Sequence, residues 1–153
     1  MLRLSKIADY AVVVLIQLGE SDRVQTSSVI AVRTGIPEPT VAKVLKLLVA
    51  SGLVFSQRGA RGGYRLAHPL DAIAVGDVIR AVEGPIFVTA CVEGSAVDCD
   101  SSRFCPINGR WPKVNRAIEA VLAAITLADV QASSPFWVGG PAPRSRTIEQ
   151  AIR

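Results

Sequence analysis

The chain has 153 residues, half of them hydrophobic, and a net charge of +4, which excludes a chain too polar to bury a core and bounds it to one domain or a domain with an appended element. No apolar run approaches the ~18 to 20 residues of a membrane span, and the opening Met1-Leu2-Arg3-Leu4-Ser5-Lys6 lacks the apolar stretch of a secretion signal, so the cytoplasm is the expected location. Residues 1–66 hold nine Lys/Arg against four Asp/Glu and the rest eight against nine, so the first part carries either a phosphate-binding surface or a solvated basic face.

Ser5 is placed to cap a first helix, with Asp9 near the positive end of its dipole. Ile7, Ala11, Val14, Leu15 and Leu18 recur at helical spacing, and Gly19 to Arg23 break the run. Thr26 or Ser27 can cap a second, short helix that Gly35 ends. After the turn Ile36-Pro37-Glu38-Pro39, a third helix carries Val41, Val44, Leu45, Leu48 and Val49 on one face and ends near Ser51-Gly52; Thr40, Ala42, Lys43 and Lys46 lie off that stripe. This pair has the layout of a helix-turn-helix or of an ordinary helical hairpin.

The next segment favours the former. Leu53 to Gln57 predicts a strand, Arg58-Gly59-Ala60-Arg61-Gly62-Gly63 a turn, and Tyr64 to Ala67 the returning strand. Glycines let backbone approach a partner, and arginines supply bidentate donors or enter a minor groove. The expected fold is therefore mainly α with a small β-hairpin wing: a winged helix-turn-helix domain over residues 1–83, closed by a helix over Ile73 to Glu83 with Val75, Val78, Ile79 and Val82 inward.

Residues 84–105 predict a loop bearing Cys91, Cys99 and Cys105 with Glu93, Asp98 and Asp100. A helix over 106–130 is expected next, starting at Pro106 or at Pro112, since an interior Pro112 would kink it. Ile107, Trp111, Val114, Ile118, Val121 and Ile125 follow 4-3-4-3-4 spacing, a seam suited to a second copy of the chain or to the helix's own domain; the homodimer is favoured because the small first domain already has a core. Residues 131–153, with Pro135, Gly139, Gly140, Pro141 and Pro143, predict a flexible tail.

Three cysteines cannot all pair within one chain. Thiolates this close are soft ligands for an iron–sulfur cluster, zinc or copper(I), although structural zinc usually shows tighter Cys pairs; three free thiols remain the bland alternative. The one histidine, His68, is distant in sequence. No nucleophile–base pair or nucleotide loop appears, so an enzyme is not expected; an electron carrier would need the cluster without DNA binding.

Together these segments resemble the iron–sulfur- and nitric-oxide-sensing winged-helix repressors, the IscR/NsrR-like family, over roughly residues 1–130. The resemblance rests on Leu4-Ser5-Lys6 with Asp9-Tyr10, Gly52-Leu53-Val54, Arg58 through Leu66, Ile73-Ala74-Val75-Gly76-Asp77-Val78-Ile79, the three cysteines, Trp111, and Thr126-Leu127-Ala128-Asp129. The opening Arg3-Leu4-Ser5-Lys6 with Asp9-Tyr10 looks most like the branch that regulates the SUF cluster-assembly operon.

The resemblance implies a dimer with recognition helices in adjacent major grooves and wings in flanking minor grooves. It also implies an iron–sulfur cluster held by Cys91, Cys99, Cys105 and one non-cysteine ligand. Where one branch has a histidine ligand this chain has Asn108, which argues against a copy of that 2Fe-2S site. Asp9 matches an aspartate that another branch donates from the partner subunit, so 4Fe-4S is favoured and 2Fe-2S stays possible; Asn108, a water or a thiol are the other fourth ligands, and a dipole-stabilising acid is the plain role for Asp9. Thr40 and Lys43 are the expected groove contacts with Pro39 at the helix tip, Ser28 and Lys46 the phosphate contacts, and Arg58, Arg61, Gly62 and Gly63 the wing contact. Ala42 stands where a glutamate restricts operator choice in one branch. The partner is double-stranded DNA with a pseudo-palindromic operator, its half-sites ~10 bp or a multiple apart. The expected function is repression of iron–sulfur assembly genes. A nitric-oxide or redox sensor of the same family, or a cluster-free regulator governed by thiols, zinc or a protein, are the alternatives.

Overall fold

The computed structural model describes residues 4–90, 92, 104–107 and 110–132. Helix α1 (Lys6–Gly19) starts where the Ser5 hydroxyl accepts the Ala8 amide at 3.2 Å, and it buries Ala8, Ala11, Val14, Leu15 and Leu18. Helix α2 (Ser27–Thr34) is capped by Thr26 and stopped by Gly35, whose φ of 70° is the left-handed conformation that ends helices cheaply only at glycine. Ile36 plugs the turn, and α3 (Glu38–Ala50) follows with Pro39 in its first turn, where the missing amide costs nothing. Val41, Val44, Leu45 and Leu48 on α3 face α1 and α2.

Strands β1 (Val54–Gln57) and β2 (Gly63–Leu66) pair antiparallel, from Val54 opposite Leu66 to Gln57 opposite Gly63. A single residue before α2 adds a third rung: the Gln25 amide donates to Tyr64 O at 2.9 Å and Tyr64 N donates back at 2.8 Å. A short 3-10 turn over Leu70–Ala72 leads into α4 (Val75–Glu83), which closes the core with Val78 and Ile79. Leu15, Leu18, Ile30, Leu45, Leu48, Val54, Ile73, Val78 and Leu127 are wholly buried in one cluster, so truncating any of these leucines to alanine costs about 2–5 kcal/mol.

The C-terminal part departs from the expected helix over 106–130. It forms α5 (Trp111–Ala124) and a separate α6 (Leu127–Ala132), with Ile125 extended between them. Pro112 lies in the first turn of α5 rather than inside it, so there is no kink. Two interactions outcompete a continuous helix. Thr126 and Asp129 form a capping box: Thr126 N donates to Asp129 Oδ2 at 2.9 Å, and Asp129 N donates to Thr126 Oγ1 at 3.2 Å. The flanking backbone pairs with the entry to α4, through Val75 N to Ile125 O and Leu127 N to Ile73 O, each 2.9 Å. Ile125 therefore leaves the helical seam, and Leu127 returns to the first domain's core. Residues 131 and 132 belong to α6, not to a tail; residues 133–153 lie outside the described residues.

Candidate functional site

Helix α3 presents Pro39, Lys43 and Lys46 at i, i+4 and i+7, all exposed, with Thr40 half-buried beside them. The apolar side of the same helix is sunk in the core, so these polar residues face outward by default. The approach of α2 to α3 is held by Ser27 Oγ donating to Glu38 Oε1 at 3.0 Å, and Ser28 next to it is exposed. Helix α3 passes straight into the wing: Leu53 N donates to Leu48 O and Ala67 N to Leu53 O, both at 3.0 Å. Recognition helix and hairpin thus form one piece.

At the wing tip Arg58 and Arg61 are exposed. Arg80 pairs with Asp77 at 2.8 Å, whereas Lys43, Lys46, Arg58 and Arg61 have no carboxylate partner among the described residues. Arg65 lies over the Phe55 ring at 5.0 Å, its cross-strand neighbour, on the side of the sheet that stays exposed. Gly62 and Gly63 are where the backbone is too close for side chains. A Cβ on Gly62 would stand 2.5 Å from Gln57 O, and one on Gly63 would stand 2.6 Å from Gln25 O.

Two buried polar residues hold this wing to α1, and the apolar periodicity of the sequence hides both. Gln25 Nε2 donates to Gln17 O at 3.1 Å, while Gln17 Nε2 donates to Glu20 Oε2 at 3.0 Å. Both glutamines are under one-tenth exposed. A glutamine on the inner side of a helical stripe is the only trace of the arrangement in the sequence.

Of the expected cluster ligands, Cys91, Cys99 and the alternative Asn108 lie outside the described residues. Cys105 is a half-buried free thiol, and Asp9 is exposed on α1, its carboxylate without a hydrogen-bond partner among the described residues. No three His, Cys, Asp or Glu side chains converge among the described residues. The chemistry of the donor set nevertheless suits a soft metal centre, because three thiols fall within fifteen residues. Thr89 Oγ1, two residues before Cys91 in sequence, is buried and finds no hydrogen-bond partner among the described residues. The seam residues Ile107, Val114 and Ile125 are exposed and Trp111, Ile118 and Val121 are half-buried, so α5 buries no large apolar side chain completely within one chain.

A family model described as "Rrf2: Iron-dependent Transcriptional regulator" matches residues 4–133. The HTH-type transcriptional regulator IscR of Photobacterium profundum is 34% identical over 131 residues, covering 84% of this chain and 75% of that protein. Among solved structures, CymR, the global cysteine regulator of B. subtilis, superposes with a TM-score of 0.65 at 31% identity over 85% of this chain and 96% of its own. T. potens IscR superposes with a TM-score of 0.62 at 33% identity over 91% and 94%.

Proposed function

The chain belongs to the Rrf2 family of iron-dependent transcriptional regulators, and from that premise we propose that it is a homodimeric repressor of iron–sulfur assembly genes that reports on a cluster held by Cys91, Cys99 and Cys105. It is a DNA-binding winged-helix protein rather than an enzyme. The observation that carries the finer reading is the group of three cysteines between α4 and α5, in a chain 34% identical to an IscR. Asp9, with its unengaged carboxylate, is the proposed fourth ligand, supplied by the partner subunit. When bound, an iron–sulfur cluster supplies a centre that oxygen or nitric oxide can attack. This chain's own residues would do the rest: the thiolates and Asp9 would hold the cluster, Thr89 would offer it a hydrogen bond, and Thr40, Lys43, Arg58 and Arg61 would meet the operator.

Readout on DNA follows from charge and position. Lys46 and Ser28 are proposed to meet phosphates, Pro39, Thr40 and Lys43 the major groove, and the Arg58–Gly63 tip the minor groove. Two copies joined along α5 read a two-fold site. A second reading, favoured by the likeness to CymR, is a thiol-responsive regulator that uses the cysteines without a cluster.

The deciding experiment is iron and sulfide content with visible absorption of anaerobically purified protein, for the wild type and Asp9→Ala. Brown protein with iron and sulfide in 4Fe-4S proportion, reduced in the variant, is the expected result. A 2Fe-2S content indifferent to the substitution removes Asp9. Colourless protein from repeated anaerobic preparations removes the cluster and leaves the thiol regulator.

A further inference from the structure

Helix α5 contains one buried polar residue, Asn115, at 4% exposure, while its apolar residues are all partly exposed. A buried amide is costly unless both ends are bonded, and here both are. Asn115 Nδ2 donates to Ile86 O at 2.9 Å, and Val88 N donates to Asn115 Oδ1 at 2.9 Å. The side chain thereby behaves like a neighbouring strand for the stretch 86–88, which is 27 to 29 residues away in sequence. Val88 is three residues before Cys91.

The grip includes a polar component. An open pocket of about 240 Å³ lies beside it, lined by Phe87, Val92, Pro112, Asn115, Arg116 and Glu119. At its other end α5 is fixed to the DNA-binding domain by the Val75–Ile125 and Leu127–Ile73 backbone bonds. Gly76 of α4 also approaches so closely that a Cβ there would stand 3.3 Å from the Leu122 carbonyl carbon. One helix thus touches the approach to the cysteines at its first full turn and the DNA-binding domain at its last.

We propose that Asn115 is a positioning residue that ties the stretch leading into Cys91 to α5, and that through this tie the state of the cysteine site reaches the DNA-binding domain. The second half rests on the sensing function proposed above. Asn115 itself neither binds a metal nor touches DNA.

The first test needs neither metal nor operator. In reduced, metal-free full-length protein, the rates at which N-ethylmaleimide alkylates Cys91, Cys99 and Cys105 are followed by peptide mass spectrometry, with Tm recorded for each variant. Asn115→Ala breaks both bonds; Asn115→Asp keeps an acceptor for Val88 N but, ionised, cannot donate to Ile86 O. The expected result is a Cys91 rate raised roughly ten-fold by the alanine and less by the aspartate, with Cys105 within two-fold of wild type. An unchanged Cys91 rate, or an equal rise at all three cysteines that follows a fall in Tm, overturns the positioning role. The second test compares affinity for a duplex recovered by the wild type from a random-sequence pool, before and after anaerobic loading with ferrous iron and sulfide. If loading shifts wild-type affinity, Asn115→Ala should shrink that shift at least three-fold; an undiminished shift overturns the transmission. If loading leaves wild-type affinity unchanged, the sensing function fails and the transmission with it, while the alkylation rates still decide the positioning role.

Discussion

Gly63 has φ of 152°, and an added methyl would meet Gln25 O at 2.6 Å and Val24 Cγ1 at 2.7 Å. The clash is with backbone of the rung that joins the wing to α1, so the hairpin has to shift rather than one side chain. Gly63→Ala is expected to lower Tm by several degrees and DNA affinity by at least ten-fold, measured by thermal denaturation and fluorescence anisotropy on one preparation. Arg61→Ala should behave differently. Its guanidinium has no carboxylate partner among the described residues, so Tm should hold. Affinity should fall, and the slope of log K against log salt should flatten by about 1. Arg61 was legible in the sequence because a charge in a glycine-rich turn has nowhere to go but outward. Asn115 and Gln25 were not, because what makes them important is a backbone group far along the chain that no local pattern encodes.

Among the elements, α1 and α2 were legible because cap, apolar stripe and stop signal agreed for each, while α3 and α4 were read from their apolar spacing and the wing from its glycine-rich turn. The C-terminal helix was misjudged because two signals conflicted. Apolar residues from Ile107 to Ile125 keep helical spacing, while Thr126-Leu127-Ala128-Asp129 spells the start of a new helix, and the cap wins because Leu127 gains a place in the core. Thr126→Ala should cost about 1 kcal/mol in chemical denaturation. The Thr126 amide and then its hydroxyl hold the Asp129 carboxyl below the usual aspartate range. A lowered folded value means that its stabilising contribution is full above the ordinary aspartate range and is lost as pH falls through the lowered value. Carboxyl NMR titration should find Asp129 moved part of the way back upward in Thr126→Ala, which keeps the amide; an unmoved titration would mean that the hydroxyl does not contribute.

At the scale of the whole molecule, α5 shows solvent apolar side chains such as Val114 at 43% exposure, and Ile107 in the turn ahead of it stands at 47%. A second copy covering these side chains is the proposed dimer, and Val114→Glu should leave a monomer in sedimentation equilibrium with its fold intact by circular dichroism. Such a monomer should bind a two-fold duplex at least a hundred-fold more weakly, since it reads one half-site at a time. The winged-helix domain was readable before any coordinates because it is built from consecutive short-range units. The junction of α5 and α6 with α4 was not, because it is made by backbone pairing between residues 73–75 and 125–127.

Gln25 sits one residue ahead of the cap of α2 and is bonded to both Tyr64 and Gln17. The chain that enters the helix-turn-helix is therefore the same chain that braces the wing, and neither can slide along DNA without the other. For the proposed contacts this makes the protein a ruler of fixed length. The base pairs met in the major groove and those met by the wing keep one spacing, and a single base pair inserted between them turns the wing's target about a tenth of a helical turn away.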